Sequence, residues 1–283
     1  MIAFLGTGLL GGNFVRAFRR RNEGVHVWNR SPAKARALEE VGANAFDNAA
    51  DAVRGAARVH ITVSDDAAVD ALLEQARPGL TRDSVIVDHT TTAPAATAER
   101  VRRWAERGIV FQHAPVFMGP QNALEGTGSM LASGKRAQFD ALAPALRQMT
   151  GTLAYLGEDP ARAASVKLMG NLFVLAMTAG LADMFALGHS LGVPAANATQ
   201  IFDWFNPVAM APARAERMRT GDLSQPTWTL AMARKDARLM IESAELHHGR
   251  LAVVPAIAAE MDRWIAAGHG GDDWMVIGKD SVS

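Results

Sequence analysis

The stretch Met1-Ile2-Ala3-Phe4-Leu5-Gly6-Thr7-Gly8-Leu9-Leu10-Gly11 decides how this chain is read. Ile2 to Leu5 is a short apolar run ended by glycines, as a strand buried on both faces requires. From Leu9 the pattern changes to a helical period, with Leu10, Phe14, Ala17 and Phe18 on one face to about residue 20. Between the two elements stands G-x-G-x-x-G, in the strand-to-helix context that gives the pattern meaning. Gly6 permits the tight turn, Gly8 lets a pyrophosphate approach the backbone, and Gly11 lets helix and strand pack closely. The helix N-terminus then offers free N–H groups and a favourable dipole to the phosphates. Gly6, Thr7, Gly8, Leu9, Leu10 and Gly11 are therefore expected to hold a dinucleotide; the alternative is a glycine-rich turn without a ligand.

Outward from this stretch, further apolar strands are predicted at 25–28, 59–63, 85–87 and 109–111. Helices are expected at 31–40, with Ser31 as N-cap and Pro32 first in the helix, and at 69–76 and 95–107. Alternating strands and helices predict an α/β fold, an N-terminal Rossmann domain with a doubly wound parallel sheet. The pattern ends near Glu158-Asp159-Pro160. Beyond it a long helix is expected at 161–191, then shorter ones at about 195–205, 208–219, 228–248 and 253–267. The expected division is a cofactor-binding domain at 1–160 and an all-α substrate and dimerisation domain at 161–283.

Composition excludes several function classes. In 283 residues, 29 Lys and Arg balance 29 Asp and Glu, so nothing points to nucleic acid or an anionic membrane. With no cysteine, disulfides, thiolate metal sites and a cysteine nucleophile are excluded. The eight histidines show no metal-ligand spacing; His247 and His248 are adjacent and do not share a helix face. No basic segment precedes the first strand, so a signal peptide is not expected and the cytoplasm is the expected location. The apolar run 168–182 is shorter than the roughly 20 residues of a spanning helix. It reads as a buried core helix.

The nicotinamide form is read at the end of the second strand. Asn29-Arg30-Ser31 places no acid there to hold a ribose 2′-OH, while Arg30 can pair with a 2′-phosphate and Ser31 can donate a hydroxyl. NADP (as NADPH) is expected over NAD; the alternative is that Arg30 is a solvated surface arginine.

Three more stretches carry chemistry. Asp88-His89-Thr90-Thr91-Thr92-Ala93-Pro94 follows a strand and crowds hydroxyls at the carboxyl edge of the sheet, where ligands bind in this architecture. Helix capping accounts for part of it. Lys167-Leu168-Met169-Gly170-Asn171 puts a lysine and an asparagine on one otherwise apolar helix face, so both need partners. A lysine there is either half of a buried pair or a functional acid. Arg234-Lys235-Asp236 by itself reads as a solvated helix face.

Taken together and in order, these stretches resemble the β-hydroxyacid dehydrogenase family, with Val63-Ser64-Asp65, Ala114-Pro115-Val116 and the tail Gly268-His269-Gly270-Gly271-Asp272-Asp273 completing the set. The resemblance implies Lys167 as the catalytic acid/base and Asn171 as the neighbour that holds the substrate. It implies cofactor contacts from Val63, Ser64, Asp65, Thr91 and Lys235. Thr90, Trp228 and Asp236 are implied at the substrate pocket, and a homodimer around the long helix is implied as well. A small hydroxy acid or alcohol and its aldehyde or ketone are the implied substrates.

One stretch departs from the family. Where a serine and glycines usually receive a substrate carboxylate, this chain has Phe117-Met118-Gly119-Pro120. Phe117, Met118 and Gly119 are expected to line a less polar substrate site, to which Trp204, Phe205, Met210 and Trp228 either contribute or belong as plain core. The departure leaves two other readings: an imine reductase-like enzyme, although aspartate or tyrosine usually stands at the lysine position there, and an NADPH-binding redox sensor without turnover.

Overall fold

The computed structural model describes residues 1–282, which divide into two compact units, 1–171 and 172–282. In the first unit β1 (Ile2–Leu5), β2 (Val25–Trp28), β3 (Asn44–Ala45), β4 (Arg58–Ile61), β5 (Val85–Asp88) and β6 (Val110–His113) form a parallel sheet in the order β3-β2-β1-β4-β5-β6. β1 pairs with β2 on one side and β4 on the other, which is why all four of its residues are buried. Its side chains alternate between two cores. Ile2 and Phe4 join Phe14 and Phe18 of α1 (Leu9–Arg20), while Ala3 and Leu5 join Val59, Ile61 and Trp104. Strand order reverses at β1, so the carboxyl ends of β1 and β4 flank the crevice where doubly wound sheets take ligands.

The remaining helices of this sheet are α2 (Pro32–Arg36), α3 (Ala49–Val53), α4 (Asp66–Ala76) and α5 (Pro94–Glu106). Ser31 is the N-cap of α2, as expected, but its hydroxyl makes no cap hydrogen bond. The threonines before α5 do not cap it either: the N-cap is Ala93, whose N–H donates to Asp66 Oδ2.

Periodicity misses a second sheet. β7 (Val116–Phe117) pairs antiparallel with β8 (Ser129–Ala132), which pairs parallel with β9 (Thr152–Tyr155). α6 (Pro120–Glu125) and α7 (Arg136–Leu146) connect these strands. A strand of two residues carries no readable alternation, so only the pairing reveals it.

The 29-residue α8 (Arg162–Ser190) begins in the first unit. Its opening turns are tied there: the Ala163 N–H donates to Ser133 Oγ at 3.0 Å. The expectation that 168–182 is a buried core helix is overturned. Leu172 is 68%, Phe173 53% and Leu175 71% exposed, because no element among the described residues covers that face. By length and composition α8 alone among the described helices is long and apolar enough to cross a membrane, a test that core helices of soluble proteins also meet.

The second unit continues with α9 (Ala195–Ala198), α10 (Ile201–Trp204), α11 (Ala211–Thr220), α12 (Leu230–Leu246) and α13 (Val254–Trp264). Leu230, Ala233 and Ala237 of α12 pack on Ala258, Met261 and Trp264 of α13. The Asp183 carboxylate accepts N–H bonds from Ala252, Val253 and Val254 at 2.6–3.0 Å, capping α13 from α8.

Candidate active site

The glycine loop is built by exclusion. Gly6 has φ +93°, and a Cβ there would lie 2.0 Å from the Thr62 carbonyl oxygen. A Cβ on Gly11 would lie 2.0 Å from the Gly6 carbonyl oxygen, whereas one on Gly8 would meet nothing within 4 Å. Two glycines are thus required by packing, and the third leaves open space above the backbone. Gly8 caps α1 without a side-chain bond and the first turn carries no acid, so its leading N–H groups have no side-chain acceptor. This cradle fits a pyrophosphate.

Asn29 locks the loop to the end of β2. Its Oδ1 accepts the Thr7 N–H at 3.0 Å, and its Nδ2 donates to the Ser31 carbonyl at 3.1 Å. Arg30 and Ser31 are exposed, and Arg30 forms no ion pair among the described residues. Its charge helps to hold the Asp65 carboxyl below the ordinary range, behind the larger effects of the Ala68 N–H and the Ser64 hydroxyl. Asp65 is the N-cap of α4, accepting from Ala68 N at 2.8 Å, and Ser64 Oγ donates to it at 2.9 Å. Both lie just past β4, but their hydrogen bonds are those of a cap.

The end of β5 is tied to the end of β4. The Val63 N–H donates to Thr90 Oγ1 at 3.1 Å, and the Thr90 N–H donates to Asp88 Oδ1 at 2.9 Å. Thr90 is buried and supports the turn, whereas Thr91 is exposed. Beneath them lies a buried polar layer that sequence reasoning missed. His60 Nδ1 and His89 Nε2 are 3.0 Å apart, His89 Nδ1 donates to the Ala114 carbonyl at 2.7 Å, and His113 Nε2 meets the Thr90 carbonyl at 2.9 Å. Burial lowers all three histidines, His89 and His113 to about 4 and His60 well below its ordinary value, so they are neutral at pH 7. Burial also raises the Asp88 carboxyl to about 6, against the Thr90 bonds that lower it. The motif Asp88-His89 lay in view, but nothing in its spacing foretold partners 25–29 residues away.

The third element is the start of α8. Lys167 is 8% exposed, and its Nζ donates to Asn171 Oδ1 at 2.8 Å. It forms no ion pair among the described residues, and burial alone lowers it from the ordinary lysine range. The Phe117 ring lies over Nζ at 4.2 Å from its centroid. A Cβ on Gly170 would lie 2.3 Å from Phe117 Cζ, so Gly170 is the notch that seats the ring. Met118 is half-buried and Gly119 is the exposed N-cap of α6. The first unit thereby joins Lys167, Asn171 and Phe117 in one cluster.

Other expected residues lie in the second unit. The Trp228 and Trp274 rings pack at an interplanar angle of 60° with centroids 5.8 Å apart, and Lys235 pairs with Asp236 at 2.7 Å. Arg234 pairs with Asp262 at 2.8 Å. Trp204, Phe205 and Met210 are exposed rather than core. In the tail, His269 bonds Asp272 at 2.7 Å, and Asp273 takes the Thr227 N–H and hydroxyl, each at 2.9 Å. No group of three or more histidines and acids able to hold a metal occurs among the described residues.

Comparison with known proteins places this arrangement. The family model for the NAD binding domain of 6-phosphogluconate dehydrogenase matches residues 1–157. The 3-sulfolactaldehyde reductase of Escherichia coli (strain K12) is 25% identical over 281 residues, covering 98% of this chain and 94% of the reductase. The 3-hydroxyisobutyrate dehydrogenase of Pseudomonas aeruginosa is 27% identical over 203 residues, 71% of this chain and 68% of that one. Among solved structures, an imine reductase from Myxococcus stipitatus in complex with NADP+ shares the fold, with TM-score 0.89 over 99% of each chain at 24% identity. The chain belongs to the family of that NAD binding domain and to the β-hydroxyacid dehydrogenases, NAD(P)-dependent enzymes acting on CH–OH or C=O groups.

Proposed function

We propose that this protein is an NADP(H)-dependent oxidoreductase that interconverts a small hydroxy acid or alcohol and its aldehyde or ketone, with Lys167 as general acid/base. The observation that carries the reading is a buried lysine without a carboxylate partner, held by Asn171 on a helix face that is otherwise apolar. A cation in that setting needs a function or a partner. The glycine cradle and the N-terminus of α1 would hold the pyrophosphate, and exposed Arg30 and Ser31 would receive a 2′-phosphate. A nicotinamide held there would supply hydride to the carbonyl carbon.

The chain's own residues manage the proton. As hydride arrives, the C=O π pair moves onto oxygen. Lys167 Nζ gives that oxygen a proton and recovers one from solvent. In the oxidative direction it removes the hydroxyl proton, which its lowered pKa favours. Asn171 fixes the ammonium so that a remaining N–H faces the substrate. Thr90 braces the turn that exposes Thr91, the residue that the resemblance sets beside the nicotinamide.

The resemblance adds Lys235 at the cofactor, with Trp228 and Asp236 near the substrate. The uncovered apolar face of α8 favours a homodimer built on this helix rather than a membrane span. A cytoplasmic enzyme without a nucleic-acid partner fits the neutral charge balance. The test is consumption of NADPH and NADH with a panel of aldehydes, ketones, cyclic imines and hydroxy acids, for the wild type and Lys167→Ala. Carbonyl turnover that depends on Lys167 supports the reading. Turnover of imines alone would replace it with an imine reductase, and tight NADPH binding without any turnover would replace it with a sensor.

A further inference from the structure

We infer that Phe117 sets the substrate class: the site takes a carbonyl compound without a carboxylate, because the ring occupies one of the three donor directions of Lys167 and the space beside it. This rests on the reading of Lys167 as the proton donor. An ammonium has three N–H groups. One goes to Asn171 Oδ1 at 2.8 Å, and a second faces the Phe117 ring, whose centroid is 4.2 Å from Nζ. One remains, enough for the oxygen that receives the proton and no other.

The ring is held firmly in that position. Phe117 pairs with Ser129 across β7 and β8, and Gly128 lies so close that a Cβ on it would be 2.8 Å from the Phe117 carbonyl oxygen. On the other side the ring fills the notch at Gly170, where any side chain would collide with it. The chain thus spends a glycine on α8 to admit an aromatic ring beside its lysine.

The segments that converge here within the first unit, 88–92, 114–119 and 167–171, hold no arginine and no lysine but Lys167. Their histidines, His89 and His113, are buried and neutral. The Thr91 hydroxyl and the Asn171 amide are neutral, so a substrate carboxylate beside the ring would give up hydration without gaining a countercharge.

The experiment compares butanal with succinic semialdehyde, which match in chain length and differ in the terminal carboxylate. We expect wild-type kcat/KM to favour butanal by about tenfold or more, and Phe117→Ser to lower that ratio by about tenfold. Gly170→Ala, which displaces the ring and leaves β7 intact, should move the ratio the same way and serves if Phe117→Ser fails to fold. A wild type that prefers succinic semialdehyde, or an unchanged ratio in folded, cofactor-binding variants, overturns the inference and leaves the lysine reading standing. Absence of turnover on every carbonyl overturns both.

Discussion

Two helices of this protein build the proposed site in opposite ways. α1 acts through its backbone: Gly8 opens space, no side chain caps its first turn, and its apolar face is sealed against β1. α8 acts through side chains: Lys167 and Asn171 stand one turn apart, while much of the rest of the helix is apolar and uncovered. A backbone site is defined by what is missing, so glycine spacing reveals it. A side-chain site is defined by its neighbours, and the neighbour that matters most, Phe117, is distant in sequence.

The largest expected effect lies at α8. Lys167→Ala should lower kcat by about 10²- to 10⁴-fold, the usual worth of a positioned acid or base. Cofactor affinity, measured by fluorescence titration, should stay nearly the same. A matching loss of NADPH affinity would erase the contrast by making Lys167 a binding residue.

The polar layer under the turn after β5 predicts a strong acid sensitivity. His89 and His113 titrate at about 4 when folded and at 6.5 when unfolded, so their neutral forms stabilise the fold above pH 6.5 and that stability is lost as pH falls toward 4. Each shift is worth about 3 kcal/mol, and His60 acts in the same direction. Asp88, raised to about 6, opposes them: its protonated form is favoured in the folded state, so acidification from 6 to 4 adds about 3 kcal/mol. The histidines outnumber it, and denaturant melts should show a net fall of about 3 kcal/mol or more between pH 7 and 4. A flat profile would mean that the layer is not neutral at pH 7.

Within α1 the three glycines should separate. Gly11→Ala places a Cβ 2.0 Å from the Gly6 carbonyl and should cost about 1–3 kcal/mol in stability. Gly8→Ala meets only open space, so its melting temperature should hold while NADPH affinity falls about tenfold as the new methyl crowds the pyrophosphate. Equal behaviour of the two variants would refute the division between packing and binding glycines.

The smallest effect is expected at Arg30. Arg30→Ala should raise the KM for NADPH about fivefold and leave that for NADH nearly unchanged, since only a 2′-phosphate uses the guanidinium. Equal losses with both cofactors would assign Arg30 to the fold.

The parallel sheet, the turn at Gly6 to Gly11 and the lysine–asparagine pair on α8 were all legible in the sequence, because each rests on local spacing: continuous burial, positive φ, or one helical turn. Three things were not. The β7-β8-β9 sheet starts with a strand of two residues, too short for a period, and β8 and β9 are recognised only by their pairing with neighbours. The histidine layer joins residues 25–29 apart through a sheet that only long-range pairing assembles. The apolar run of α8 reads as core by composition, yet composition cannot say which chain supplies the cover. By itself, then, the sequence determined that a dinucleotide cradle precedes a helical region bearing a lysine. Only the tertiary structure decided that this lysine is buried under Phe117 in a notch left by Gly170, because that contact depends on distant segments meeting in space.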